Sequence, residues 1–189
     1  MAAAPAALTA EDVLEVSGED DLRCVTDLVL RHRGIASVPE ELAASLVALK
    51  ILSLSHNLLS TLGSAFGHLR ALERLNVGFN ALTSLQGIEN CVALTHLYAP
   101  NNRIRDMGPL SKLTRLETVC LLRNSVPELK GEVVIPLLGL TRVRELDLAG
   151  NPCATSDDYA ATLANALPSL ETLDGDPLDR AELCGAPAD

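Results

Sequence analysis

Tryptophan is absent from the 189 residues, and aromatic side chains make up only 2% of them, as two tyrosines and two phenylalanines. A core made from this chain is therefore leucine, valine and alanine, and no basic stripe with interleaved aromatics exists to track phosphates, so direct nucleic-acid binding is not expected. No apolar stretch approaches the roughly 18 residues of a membrane span. The first residues, MAAAPAALTAED, lack both a basic leader and a sustained apolar run, which argues against secretion and membrane insertion. The five cysteines, Cys24, Cys91, Cys120, Cys153 and Cys184, are odd in number and have no C-x-x-C spacing, so they read as reduced thiols of an intracellular protein. A Gly-rich phosphate loop, H-E-x-x-H and G-x-S-x-G are all missing. These absences lead to the expectation of no cofactor, no metal site and no enzymatic activity.

What the chain has instead is repetition. The phrase L-x-x-L-x-L-x-x-N-x-L recurs about every 22 residues around Asn57, Asn80, Asn102, Asn124 and Asn151, and a degenerate first copy carries Arg33 where the asparagine would stand. Leucines two apart point to one side of a short strand, toward a core, and the residues between them face outward. Each asparagine follows at the turn, where its amide can satisfy backbone groups that would otherwise be buried unpaired, so the asparagines read as scaffold. In the second half of the copies, Leu82, Leu85, Ile88, Cys91 and Leu94 are spaced by three, as are Ile104, Met107, Leu110, Leu113 and Leu116. That period predicts 3₁₀ turns rather than α-helix. A longer interval before Asn151 places an insertion at 127–136, on the convex side or rim of the fifth copy; it is either a contact or a tolerated bulge.

The pattern identifies a leucine-rich repeat solenoid: α/β in class, a parallel sheet on the concave face, 3₁₀ and short α turns on the convex face, and helical caps. The organisation expected is an N-terminal helical cap over 1–24, six repeats over 25–152, a C-terminal repeat cap over 153–183 and a tail over 184–189. Thr9 and Asp12 suggest a capping box opening a helix to about Val16, ended by Gly18, and Pro39 to Val47 suggests a second short helix. Net charge is −10, with acidity concentrated in the two ends, and residues 25–150 are close to neutral. Polar outer surfaces on terminal repeats account for such ends, with an acidic docking site as the alternative.

Copies of 22 residues resemble the short, phosphatase-regulator-like subgroup of leucine-rich repeats. The segment 159–175 is similar to the cap shared by intracellular members of that group, in which an aromatic, here Tyr159, lies over the open core and the sequence Leu173-Asp174-Gly175 closes the chain. The continuation from Asp176 to Leu183 resembles the ending of the outer-arm dynein light chains and other axonemal leucine-rich repeat proteins. The resemblance implies a small adaptor of the cytoskeleton, placed in a cilium or flagellum axoneme, a monomer within a larger complex, with dynein heavy chain, tubulin or another axonemal protein as partner. A phosphatase regulatory subunit and a spliceosomal or nuclear assembly factor remain the alternatives.

Outward strand positions give the expected binding surface. A central row runs through Asn76, Tyr98, Cys120 and Asp147, a second includes Ile51, Arg74 and His96, and a third includes Pro100 and Leu122, with Arg123 beside it. Tyr98, Pro100, Cys120 and Leu122 form an apolar island rimmed by Arg74, Arg123 and Asp147, the anatomy of an interface, with Tyr98 as anchor. Cys120, His96 and Asp147 superficially suggest a catalytic set, but the diagonal offset of His96 from Cys120 and an open sheet argue against one. His32 and His56 hold equivalent turn positions, two ligands too few for an ordinary metal site.

Overall fold

The computed structural model describes residues 6–183; the expected tail over 184–189, with Cys184, lies outside them. The chain opens with β1 (Ala6–Ala7) and α1 (Ala10–Ser17), then β2 (Asp27–Val29), β3 (Ile35–Ser37), α2 (Glu40–Ser45), β4 (Ile51–Ser53), β5 (Arg74–Asn76), β6 (His96–Tyr98), β7 (Thr118–Cys120) and β8 (Glu145–Asp147). It ends with α3 (Tyr159–Ala166), β9 (Thr172–Leu173), β10 (Asp176–Pro177) and α4 (Arg180–Leu183). One sheet runs β10-β9-β8-β7-β6-β5-β4-β2, parallel throughout except for β10. Its register is constant: Leu28, Leu52, Leu75, Leu97, Val119 and Leu146 lie side by side, and every one of them is buried.

The strands β4 to β8 are three residues long, and the asparagine that follows each one stabilises the turn in the same way each time. The Asn102 amide donates to the carbonyls of Val77 (3.0 Å) and Ala99 (3.2 Å), and its oxygen accepts the Leu82 N–H at 3.0 Å. Asn57, Asn80, Asn124 and Asn151 repeat this with their own neighbours, so each one ties two adjacent copies. The residue before each asparagine turns left-handed, from His56 (φ 58°) through Phe79 (57°) and Arg123 (53°) to Gly150 (70°), and His32 (56°) does the same before Arg33. For the non-glycine members this costs about 1 kcal/mol each, sustained by the surrounding hydrogen bonds.

Behind the sheet the return segments take the three-residue period. Ile88, Cys91 and Leu94 donate backward to Leu85, Ile88 and Cys91 as successive turns, and 3₁₀ helix forms over Ser64–His68 and Gly108–Lys112. Cys91 occupies a leucine slot, fully buried, with Sγ 3.1 Å from the Phe66 carbonyl; burial pushes its thiol up to about 12. The 127–136 insertion forms the 3₁₀ turn Gly131–Val133 and enters a second, Ile135–Leu137, that runs one residue past it, and it buries Leu129 and Pro136. In its first turn α1 carries the reciprocal Thr9–Asp12 capping box, and it stops at left-handed Gly18; its Val13 is fully buried in the core. The second helix is shorter than Pro39 to Val47: Pro39 caps α2 and the turn relaxes after Ser45. Pairing of β1 with β3 adds a two-stranded parallel sheet that the pattern does not announce.

At the far end, Tyr159 is 8% exposed and its hydroxyl donates to Asp174, whose Oδ1 also accepts the Leu148 N–H at 2.7 Å. Arg180 of α4 then reaches back to cap the end of α3, donating to the carbonyls of Ala164 and Leu167, both at 2.7 Å, and of Leu170 at 3.2 Å. One guanidinium thus bonds three backbone carbonyls across the end of α3 and the turn that follows it.

Candidate functional site

On the concave face the outward residues fall into the rows that their spacing predicts. Asn76, Tyr98, Cys120 and Asp147 are register partners, as are Ile51, Arg74 and His96. Pro100 and Leu122 extend their side of the ladder, since Phe79 and Asn101 donate to their carbonyls at 2.8 Å. Ile51, Asn76, His96, Tyr98, Pro100, Cys120, Leu122 and Asp147 are all half-buried, and Arg74 and Arg123 are exposed. The structure thus assembles the apolar island and its charged rim on one surface.

A shallow depression of about 250 Å³ sits at the C-terminal half of that surface, between Tyr98, Cys120, Thr118, Asp147, Glu145 and Thr172. Its walls are apolar, with two carboxylates at the margin. Cys120 directs its thiol toward Asp147 Oδ2 at 3.6 Å, and burial, aided by that carboxylate, drives the thiol up to about 11. A thiol so poised is neutral at physiological pH and is not an activated nucleophile. His96 bonds to Thr95 Oγ1 through Nδ1 (2.8 Å) and lies beside Thr118, not Cys120. The three residues are therefore neighbours without a relay between them.

Two features of the surface escape a reading by spacing. His32, His56 and Phe79 stack into a column, with ring centroids 4.3 and 4.1 Å apart; the two histidines share an equivalent turn position, and Phe79 extends the stack in the next copy. A larger cavity, about 650 Å³, opens between the return segments 60–67 and 83–90, where no strand residue contributes. Among the described residues no cluster of three or more His, Cys, Asp or Glu side chains is arranged to hold a metal, and no helix is long and apolar enough to cross a membrane.

A single-register parallel ladder, knitted by an asparagine in five of its turns, is the leucine-rich repeat fold, and the family model described as Leucine rich repeat matches residues 23–82. The chain is similar to human cilia- and flagella-associated protein 410, with 32% identity over 120 residues, 62% of this chain and 46% of that protein. It is similar to human leucine-rich repeat-containing protein 56, with 36% identity over 131 residues, 63% of this chain and 23% of that one. Bovine geranylgeranyl transferase type-2 subunit alpha shows 31% identity over 122 residues, 65% of this chain and 17% of the subunit. The chain thus spans less than half the length of each of these relatives. Among solved structures, a chain of the Drosophila melanogaster SNF/U2A′ complex matches with a TM-score of 0.62 at 22% identity, over 95% of this chain and 90% of that one. An internalin of Listeria monocytogenes matches with a TM-score of 0.69 at 23% identity, over 87% of this chain and 54% of the other. At such identities these structures establish the fold alone.

Proposed function

We propose that this protein is a non-enzymatic adaptor that binds a protein partner through its concave face, as a subunit of a ciliary or flagellar axonemal complex. The observation carrying this reading is the half-buried row Tyr98–Cys120–Asp147 with its depression, framed by Arg74, Arg123, Pro100 and Leu122. Half-exposed apolar side chains at the centre of a polar surface favour an interface, since covering them removes apolar area at about 25 cal/mol per Å². Similarity to a protein whose name places it with cilia and flagella supports the setting. The raised thiol of Cys120 and the separate bonding of His96 favour binding over chemistry, and the family's solenoid favours a protein partner. Dynein heavy chain, tubulin or another axonemal chain is the partner this reading implies.

The test pairs Tyr98→Glu with Leu122→Glu. Both side chains leave the leucine rows untouched, so the double variant keeps the wild-type circular dichroism. Expressed with a tag in ciliated cells, the wild type remains with detergent-stripped axonemes and is released by salt, and the double variant is lost at the detergent step. A double variant that stays with the axoneme, or wild-type protein that never associates with it, overturns the reading.

A further inference from the structure

Where the chain leaves the strands, the edge of the solenoid carries arginines in the first, fourth and fifth copies. Arg31, Arg33, Arg103, Arg105 and Arg123 are all exposed there, and none makes an ion pair among the described residues. The acids on that edge are already engaged: Asp106 accepts the N–H of Gly108 at 2.7 Å, and Glu128 pairs with Lys130. Arg33 is close enough to Asp12 to help hold that carboxyl below its usual range, after the hydrogen bonds from Thr9, yet forms no bond to it. The opposite edge, where strands begin, is balanced: Lys50 pairs with Glu73 and Arg144 with Glu171, and exposed Glu117 stands beside Arg115.

The ring column lies along the same basic edge. His32, His56 and Phe79 hold identical left-handed positions in successive copies, and Asn101 and Arg123 continue the line. Stacked at 4.3 and 4.1 Å, the rings consume one another's faces and leave no gap for a base to enter. What they turn outward is the ring edge, which carries the positive end of the aromatic quadrupole and, in the histidines, the N–H donors. Phe79 is 47% exposed in this position.

We propose that this edge docks an acidic segment of a partner polypeptide, laid along the line from His32 to Arg123. Carboxylates suit both components, because guanidinium groups bind them in a bidentate manner and ring edges attract negative charge. Four strand intervals at about 4.8 Å span about 19 Å, the length of an extended segment of about six residues. The edge meets the rim of the concave surface at Arg123, but none of its residues lines the depression, and the variants at Arg31, Arg33, Arg103 and Arg105 leave Tyr98 and Leu122 intact, so its failure is distinguishable from that of the adaptor reading.

The test uses a fluorescein-labelled oligoglutamate peptide, with an oligouridylate of matched charge as the competing chemistry, both followed by fluorescence anisotropy against the full chain. The peptide binds at low salt and is released as salt rises. Arg31→Glu with Arg33→Glu, and separately Arg103→Glu with Arg105→Glu, each weaken it about tenfold or more. Arg70→Glu with Arg115→Glu, on the other side, leaves affinity within about twofold, as does Tyr98→Glu. Equal or tighter binding of the oligouridylate overturns the proposal, as does indifference to the edge variants. Concentration-dependent self-association abolished by the same variants also overturns it, by making an acidic end of a second copy the occupant.

Discussion

Asp174 accepts the hydroxyl of Tyr159 at 3.1 Å through the same Oδ1 that holds the Leu148 N–H at 2.7 Å. One carboxylate therefore joins the capping helix, the last strand and the sixth copy. Tyr159→Phe removes one hydrogen bond and lowers stability by about 1 to 2 kcal/mol; Asp174→Ala leaves a buried backbone donor and the phenol unpaired and costs about 3 kcal/mol. Asp174→Asn keeps an acceptor and tolerates the left-handed backbone (φ 55°), so it falls below the alanine change. Urea unfolding with matched m-values measures all three.

The same reasoning applied inside the ladder ranks the asparagines above any single leucine contact. Asn102 is 9% exposed, and its loss strands the Leu82 N–H and leaves the carbonyls of Val77 and Ala99 with only the amides of Asn80 and Asn124. Asn102→Ala lowers stability by about 3 kcal/mol, and hydrogen exchange accelerates first at the amides of its own and the two adjoining copies.

Gly87 sits at φ 112°, and a Cβ added there meets the Gly63 carbonyl oxygen at 2.1 Å. Backbone must move to admit even alanine, and the left-handed conformation adds strain, so Gly87→Ala costs about 3 kcal/mol in thermal or denaturant unfolding. Gly131→Ala serves as the comparison: it is also left-handed (φ 47°) but has open space around its Cβ, and its cost is the smaller of the two.

Thiol chemistry separates surface from core. In a Cys184→Ser background, iodoacetamide labels exposed Cys24 first and Cys120 slowly, and leaves Cys91 and Cys153 untouched until the protein unfolds. Burial raises Cys91 to about 12 and both Cys120 and Cys153 to about 11, so little thiolate exists at neutral pH. Peptide mass mapping of the labelled sites reads the order directly.

Protonation of His56 is opposed first by burial in the stack and then by the charges of His32 and Arg31, which hold its pKa below 6.5. The unfolded chain takes up that proton at a higher pH than the folded one, so this contribution to stability is present above pH 6.5 and is lost as pH falls through the folded value. Phe79→Ala reopens the ring to water and moves the His56 midpoint upward in an NMR titration; an unchanged midpoint contradicts the assigned cause.

The strand rows and the asparagine ladder were legible because each is dictated by a local period: leucines two apart must share a side, and one amide per turn must meet the same two carbonyls. The closure by Tyr159 and Asp174 was legible through its resemblance to a shared cap. The histidine–phenylalanine column was not, because its members differ in type and meet only once register fixes successive copies side by side. Ala6 and Ala7 carry no alternation from which pairing with Ile35–Ser37 could be read. The approach of Gly63 to Gly87 depends on the path of two return segments, which periodicity does not specify. For the concave surface, spacing gave the neighbours of Tyr98 but not the depression, whose shape comes from the truncated strand at Thr172.

A stack of short parallel strands at a constant step has the spacing of a fibril spine, and an open final rung would template further chains without limit. Here the last rung reverses direction and ends in Pro177, which has no N–H to offer. Strand addition at this edge of the sheet is thereby blocked by a single covalent choice.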